Sequence, residues 1–177
     1  MRTEAPHIRG LTPRDPHRLA AAFAAAGWPG KSVAQYQRYL AEQRSGHRLV
    51  FLAEWDDQPL GYVCVLWRSD YAPFRKAGIP EIVDFNVLPA YRRRGVGTAL
   101  MDAAEQTIAQ RSELAGLGCG LYADYGPALR LYLRRGYLPD GRGITYDRRT
   151  VEPGQSVRVD DSAALMLVKR LRAEPAW

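Results

Sequence analysis

The segment between Glu81 and Met101 restricts the possible folds of this chain more than any other part of the sequence. A predicted strand, Glu81–Leu88, ends at Pro89, and a predicted helix over Thr98–Glu113 follows with apolar residues at helical spacing. Arginines and glycines connect the two elements. The first N–H groups of a helix lack intrahelical partners, and the helix dipole favours an anion beside them. The segment therefore predicts an α/β domain with a phosphate-binding turn.

The composition of this turn suits a pyrophosphate. Gly95 and Gly97 carry no side chain that would keep a phosphate away from the backbone. Positive charge comes from three consecutive arginines, Arg92, Arg93 and Arg94. The turn is not a Walker loop, since no Lys-Ser or Lys-Thr pair follows its second glycine, and it lacks the third glycine of a dinucleotide fingerprint. A solvated arginine run at a helix start is the alternative interpretation.

The pattern Arg92-x-x-Gly95-x-Gly97, followed by a Thr-Ala-Leu-Met helix, resembles the acetyl-CoA signature of the GNAT superfamily of N-acetyltransferases. A second block, Ala128–Tyr137, is similar to a later motif of that family, with an alanine, a Leu-Tyr pair and a Gly-aromatic pair in order. The order and separation of the two blocks also match. The resemblance implies the GNAT fold, an α/β fold with a mixed, mostly antiparallel central sheet, a splayed parallel strand pair and helices on both faces.

The rest of the chain is predicted to add further helices and strands to a mixed α/β domain, with loops over Arg68–Gly78 and Arg148–Val159. The predicted helices are Leu19–Ala26, Val33–Arg44 capped by Ser32, Thr98–Glu113 and Pro127–Arg135, which ends at Gly136. The predicted strands are Ile8–Leu11, Arg48–Trp55, Leu60–Trp67, Glu81–Leu88, Leu117–Ala123, Tyr137–Leu138, Ile144–Tyr146 and Ala164–Arg170, with a turn at Pro139-Asp140-Gly141.

The resemblance also implies a co-substrate, acetyl-CoA, and the residues that bind it. Backbone N–H groups of Arg93–Thr98 would hold the pyrophosphate. The strand Leu117–Ala123 would diverge from Glu81–Leu88, and the pantetheine arm would enter the gap and satisfy backbone polar groups there. Tyr125 stands where the family often has asparagine, and its hydroxyl would replace that contact. The cofactor-binding residues expected on this basis are Phe85, Asn86, Val87, Arg92, Arg93, Arg94, Gly95, Val96, Gly97, Thr98 and Tyr125.

Acetyl transfer from a thioester to an amine needs a base for the amine proton and benefits from an acid for the thiolate. The resemblance implies that Tyr132, the tyrosine of the Leu-Tyr pair, is the acid. It also implies that Glu81 is the base, because the histone-acetylating branch has a glutamate at this offset before Arg92. Asp84 is the alternative base, on the opposite face unless a bulge changes the strand parity. The alternative interpretations are that either carboxylate pairs with a nearby arginine and that Tyr132 packs in the core.

The length of 177 residues predicts a single domain over residues 1–177, and 46% hydrophobic with 25% charged residues is normal for a packed globular domain. The two cysteines, Cys64 and Cys119, provide no disulfide framework, and no metal-binding motif is present. We find neither a signal peptide nor an apolar stretch long enough to span a bilayer. A cytoplasmic location without membrane contact is therefore expected.

Arginine provides 22 of the 25 basic residues, and the net charge is +6. This charge permits a phosphorylated ligand, a nucleic acid or a membrane surface as partner, and GC-rich coding would also produce it. We expect no nucleic-acid partner, because the arginines are dispersed apart from the turn. The expected function is acetyl-CoA-dependent N-acetylation, by direct transfer, of a primary amine on a small molecule or peptide, with a homodimer compatible with the family. The alternatives are an inactive GNAT fold that binds acyl-CoA and a basic nucleic-acid-binding module.

Overall fold

The computed structural model describes residues 5–171. In this range the chain forms eight strands, five α-helices and two short 3₁₀ helices. The strands are β1 His7–Arg9, β2 Arg48–Trp55, β3 Gln58–Leu66, β4 Glu81–Val87, β5 Leu114–Gly120, β6 Leu138–Tyr146, β7 Arg149–Thr150 and β8 Ala163–Arg170. The α-helices are α1 Asp15–Ala25, α2 Val33–Arg44, α3 Ala72–Ala77, α4 Val96–Ala109 and α5 Gly126–Arg134, and the 3₁₀ helices are Pro89–Tyr91 and Ala123–Tyr125.

The strands follow the order β1-β2-β3-β4-β5-β8-β6-β7. The pairs β1–β2, β2–β3, β5–β8, β6–β8 and β6–β7 are antiparallel. Strands β4 and β5 are parallel, and their register consists of the pairs Glu81↔Gly116 and Ile82↔Leu117. The predicted mixed sheet, mostly antiparallel with one short parallel pair, is therefore confirmed.

The chain divides into two compact units, each made from two separate stretches of sequence. Unit 1 comprises residues 5–66 and 83–107, and unit 2 comprises residues 67–82 and 108–171. Strand β4 gives its first two residues to unit 2 and the remainder to unit 1. The expectation of a single domain stays a prediction.

Unit 1 is built on the predicted hairpin β2–β3. Its turn residues, Asp56 and Asp57, have φ of 41° and 64°, the left-handed geometry that suits a two-residue hairpin turn. Alternate residues of both strands face helices α1 and α2, so that Leu52 and Tyr62 are fully buried together with Phe23 of α1. This aromatic core fixes the two helices on the hairpin.

The predicted helix ends hold at α2 and α5. Ser32 Oγ accepts a hydrogen bond from Gln35 N at 3.2 Å, as expected of an N-cap. Gly136 follows α5 with φ of 89°, as expected after a helix C-terminus. Helix α4 has the predicted place, but it runs over Val96–Ala109, so it starts two residues earlier and ends four residues earlier than the prediction.

The predicted loop Arg68–Gly78 is wrong, because Ala72–Ala77 forms helix α3. Phe74 of this helix is 2% exposed, and its ring occupies the place of a side chain at Gly116, where a Cβ would lie 2.2 Å from Phe74 Cε2. Tertiary packing therefore stabilises a helix that is too short to form by propensity alone.

Three further predictions in unit 2 need correction. Strand β5 begins and ends three residues earlier than predicted, because it pairs with β8 from Leu114↔Arg170 to Gly120↔Ala164. Strand β6 continues through the predicted turn at Pro139-Asp140-Gly141, and its register with β8 shifts between Pro139 and Ile144, as a bulge would cause. The predicted loop Arg148–Val159 contains the two-residue strand β7.

Candidate active site

The arginine–glycine turn lies after the end of β4, within unit 1. Residues 92–95 are exposed, and Arg93 and Gly95 have φ of 60° and 80°. Helix α4 follows directly, and a hydrogen bond from Ala99 N to Gly95 O, at 2.9 Å, begins its ladder. The N–H groups of residues 96–98 precede this ladder, so no carbonyl of the same helix accepts from them. They form a group of donors suited to an anion, which fits the pyrophosphate of a coenzyme.

The two glycines of the turn have different surroundings. A Cβ at Gly95 would meet nothing within 4 Å, so the left-handed backbone is the reason for this glycine, and the space beside it is open. A Cβ at Gly97 would lie 3.1 Å from Phe85 Cζ and 3.6 Å from Val87 Cγ2. Gly97 therefore lets helix α4 approach the strand. The turn and the strand residues expected to bind the cofactor pack directly on each other.

Two arginines of the turn contact aromatic rings. Arg92 Nε donates to Val87 O at 3.2 Å, and its guanidinium carbon lies 5.6 Å from the centre of the Trp28 ring. The Arg94 guanidinium carbon lies 6.0 Å from the Tyr91 ring centre. Cation–π contacts of this kind position a guanidinium beside a ring without consuming its N–H donors. The arginines thus remain able to bind phosphate oxygens.

Asp84, the alternative base, lies in β4 within a dense set of donors from unit 1. Its Oδ1 accepts from Lys31 Nζ at 2.5 Å and from Asn86 Nδ2 at 2.8 Å. Its Oδ2 accepts from three further side chains: Gln35 Nε2 at 3.1 Å, Tyr39 OH at 2.8 Å and Tyr62 OH at 2.7 Å. The expected arginine partner is thus a lysine. Sequence reasoning missed these donors because they come from a loop, a helix and two strands.

The backbone and the charge of Asp84 are both unusual. Its φ of 49° is left-handed, which is rare for a non-glycine residue within a strand and typical of a bulge. Burial alone would raise the pKa of Asp84, but Lys31 and the Tyr62 and Tyr39 hydroxyls outweigh burial and hold that pKa below its ordinary value. Burial raises the pKa of both tyrosines, so their hydroxyls stay protonated and donate. The site holds a charged carboxylate.

Glu81, the expected base, lies in unit 2 and is 1% exposed. Arg148 Nη1 donates to both of its carboxylate oxygens, at 2.7 and 2.8 Å. Ser69 Oγ donates to Oε2 at 2.6 Å and accepts from Tyr71 N at 2.9 Å. The arginine pairing considered for Glu81 is therefore what the structure contains. Arg148 comes from the turn between β6 and β7, 67 residues away, and no local pattern indicates this pair.

Tyr132, the expected acid, lies in helix α5 of unit 2 and is 7% exposed. Its ring packs edge-on against Tyr137, with 6.1 Å between ring centres. Burial raises the pKa of Tyr132, and the nearby Cys119 adds to this effect. The hydroxyl therefore stays protonated at neutral pH, as a proton donor must. The two expected catalytic side chains thus contact different neighbours: Ser69 and Arg148 for Glu81, and Tyr137 for Tyr132.

Tyr125, the expected substitute for asparagine, is committed to contacts within unit 2. Its hydroxyl donates to Asp161 Oδ1 at 3.0 Å, and its ring packs edge-on against Tyr122 with 5.0 Å between centres. The same ring covers Gly120, where a Cβ would lie 2.4 Å from Tyr125 Cε2. The Tyr122 hydroxyl also donates to Asp161.

No helix in residues 5–171 is long and apolar enough to cross a membrane. No group of three or more His, Cys, Asp or Glu side chains in the same range could hold a metal ion. Both cysteines are free and buried, and burial raises the pKa of Cys119 to about 11.

Solved structures of N-acetyltransferases share this fold. The N-acetyltransferase from Staphylococcus aureus Mu50 has a TM-score of 0.69 and 13% identity, covering 96% of this chain and 100% of that chain. The PaiA N-acetyltransferase from Thermoplasma acidophilum, in complex with coenzyme A, has a TM-score of 0.64 and 14% identity over 94% and 99% of the two chains. An aminoglycoside 6'-N-acetyltransferase complexed with coenzyme A has a TM-score of 0.64 and 14% identity over 96% and 99%.

The fold and the N–H donors at the start of α4 thus define an N-acetyltransferase-like α/β protein. The family model for the acetyltransferase (GNAT) family matches residues 15–137 of the sequence. The chain therefore belongs to the GNAT family of acetyltransferases and is an acyltransferase. No curated protein sequence matches it.

Proposed function

We propose that this protein transfers an acetyl group from acetyl-CoA directly to a primary amine of a small molecule or peptide. The observation that carries the proposal is the turn at residues 92–98, where helix N–H groups without an intrahelical acceptor adjoin three exposed arginines. Coenzyme A provides a pyrophosphate of matching charge. Two of the solved structures with the same fold contain coenzyme A, and the family is defined by acetyl transfer.

In this proposal the N–H groups of residues 96–98 and the arginine side chains bind the pyrophosphate. The backbone at Phe85, Asn86 and Val87 binds the pantetheine amides. Because Gly97 has no Cβ, which would lie 3.1 Å from Phe85 Cζ, the turn and the strand can lie close together, and this packing sets the distance between the pyrophosphate and pantetheine parts of the site. A coenzyme bound in this way would be oriented by backbone groups, which have little freedom to reorganise.

The amine nitrogen attacks the thioester carbonyl, the carbon–sulfur bond breaks, and coenzyme A leaves as a thiolate. Tyr132 gives its proton to that thiolate; its raised pKa keeps the hydroxyl protonated but also makes it a weaker acid, so the proton moves as negative charge builds on the sulfur. Glu81 takes the amine proton. Because the carboxylate is buried and Arg148 occupies both of its oxygens, this role requires the Arg148 guanidinium to move away. The Arg148 side chain is 40% exposed, so solvent borders the group that has to move.

The test is release of coenzyme A thiol from acetyl-CoA in the presence of a panel of primary amines. Tyr132→Phe is expected to lower kcat by about 10²- to 10⁴-fold while coenzyme binding is retained. Tyr146→Phe is the matched control, because it removes the hydroxyl of another unit 2 tyrosine, bonded to Asp160. Glu81→Gln against Asp84→Asn then identifies the base. Equal rates for Tyr132→Phe and the wild type would exclude Tyr132 as the acid.

A second candidate function is a GNAT fold that binds acyl-CoA without catalysis. The observation that favours it is that both candidate bases are occupied by cations, Glu81 by Arg148 and Asp84 by Lys31. A carboxylate in such a pair is a poor proton acceptor. Binding of acetyl-CoA without thiol release for any amine in the panel would support this candidate over the enzyme.

A further inference from the structure

The carboxylate of Asp84 is held by neutral donors on regular elements. Gln35 and Tyr39 lie in helix α2, Tyr62 lies in strand β3, and Asn86 lies in β4 itself. These four side chains donate to the carboxylate over distances of 2.7 to 3.1 Å. They fix the position of the carboxylate, but none of them carries a charge to match it.

The matching charge comes from a connecting loop. Lys31 lies between the end of α1 at Ala25 and the start of α2 at Val33. Its ammonium is 2.5 Å from Asp84 Oδ1 and 5.6 Å from the centre of the Tyr62 ring. A carboxylate together with an aromatic face is the arrangement that binds alkylammonium ions. The loop lysine thus occupies a receptor for a primary ammonium.

This receptor is also open to solvent on the lysine side. The Lys31 side chain is 23% exposed and the Asp84 side chain is 18% exposed, while Tyr62 is fully buried. Lysine has a flexible four-carbon stem, so its ammonium can leave without moving the backbone. The left-handed backbone at Asp84 costs free energy, and such strain is typically found where a side chain is presented for function.

We propose that Asp84, Tyr62 and Tyr39 form an anchoring site for an ammonium group of the acceptor, and that Lys31 is its internal occupant. The acceptor ammonium displaces the Lys31 ammonium and is held as a cation. An ammonium held by a charged carboxylate is not a nucleophile, so a different amine of the acceptor reacts. The acceptor class is therefore an amine that carries at least one further cationic group. That the bound ammonium belongs to an acetyl acceptor rests on the proposed function, whereas the ammonium site itself does not.

The test is binding of n-butylammonium, which is the lysine side chain without its backbone, to the full chain without coenzyme. Ring signals of labelled tyrosines report the site, and calorimetry reports the Kd. We expect saturable binding to the wild type, with shifts at Tyr39 and Tyr62. Lys31→Ala removes the internal competitor, so we expect its Kd to be lower by at least about tenfold. Lys76→Ala, at an exposed lysine of α3, is the matched control and should behave as the wild type.

A charge-removing variant and an uncharged ligand are the two controls. Asp84→Asn in the Lys31→Ala background should abolish binding of n-butylammonium. Should that variant fail to fold, n-butanol provides the control: it lacks the charge and should not bind to Lys31→Ala. Equal binding of n-butanol would mean an apolar cavity only. Wild-type tyrosine signals that do not move at any soluble concentration of n-butylammonium would mean that Lys31 is a structural ion-pair partner, and would overturn the proposal. The n-butylammonium experiment does not depend on acetyl transfer. If n-butylammonium binds as expected but no amine in the panel releases thiol from acetyl-CoA, only the proposed function is contradicted.

Discussion

Gly61 is the position where a single methyl group would do most damage to unit 1. A Cβ there would lie 2.4 Å from the carbonyl oxygen of Asn86 and 2.9 Å from the Cα of Val87. Both contacts are with backbone atoms, which cannot rotate away as a side chain can. Beside Gly61, Leu88 N donates to Leu60 O at 2.9 Å and holds β4 against β3. Gly61→Ala must therefore push β4 away or distort it.

Overpacking of this kind costs about 1–3 kcal/mol, and backbone contacts at these distances place Gly61→Ala near 3 kcal/mol. For a chain of this length each kcal/mol lowers Tm by about 2–4 °C, so we expect a fall of roughly 6–12 °C. Because Asn86 and Val87 belong to the proposed pantetheine site, the variant should also bind coenzyme A more weakly than the wild type.

Thermal unfolding followed by circular dichroism measures this effect. Gly30→Ala is the matched control, since a Cβ at Gly30 meets nothing within 4 Å, and its change should stay within about 0.5 kcal/mol. Gly118→Ala is an intermediate case, because its Cβ lies 3.2 Å from the flexible end of Met166. Unfolding of Gly61→Ala at the same temperature as Gly30→Ala would show that β4 accommodates the added methyl group without cost, contrary to this expectation.

Two further predictions concern charged groups. Arg148→Ala leaves the buried Glu81 carboxylate without its cation, and chemical denaturation should show a loss of about 3 kcal/mol, which Arg148→Ala/Glu81→Gln should partly restore. Burial alone would raise the pKa of Asp15, but hydrogen bonds from Arg9 and Thr12 lower it from 3.8 to about 2. The charged carboxylate therefore stabilises the fold above pH 4, and this contribution is lost as the pH falls through about 2. Asp15→Asn should unfold more easily than the wild type at pH 6, by up to about 2 kcal/mol, and the difference should shrink towards pH 2 in urea titrations.

Local sequence patterns predict much of unit 1. The aliphatic and aromatic run Arg48–Trp55 forms strand β2, and Ser32 caps helix α2, both as predicted. Helix α3 could not be predicted from the sequence. Its six residues are too few to form a stable helix alone, and the helix depends on the burial of Phe74 against Gly116, a contact between distant parts of the chain.

The candidate site likewise has a part that the sequence predicts and a part that it does not. The phosphate turn is contiguous, so the sequence shows the arginines and glycines together, although it does not distinguish the packing role of Gly97 from the conformational role of Gly95. The partners of Asp84 and Glu81 are not contiguous. Lys31 is 53 residues before Asp84, and Arg148 is 67 residues after Glu81. A charge pair at such a separation follows from the fold, and no spacing rule indicates it.

The central claim is that residues 92–98 bind the pyrophosphate of acetyl-CoA, and a thermal shift titration with acetyl-CoA tests it most directly. Thr98 is exposed in the first turn of α4, where a glutamate suits the helix dipole but repels a phosphate. Gln106→Glu, exposed later in the same helix, adds the same charge away from the turn. We expect Tm to rise with the logarithm of acetyl-CoA concentration for the wild type and Gln106→Glu, and the rise to be lost in Thr98→Glu. An equal rise in all three proteins, or none in the wild type, would contradict the claim.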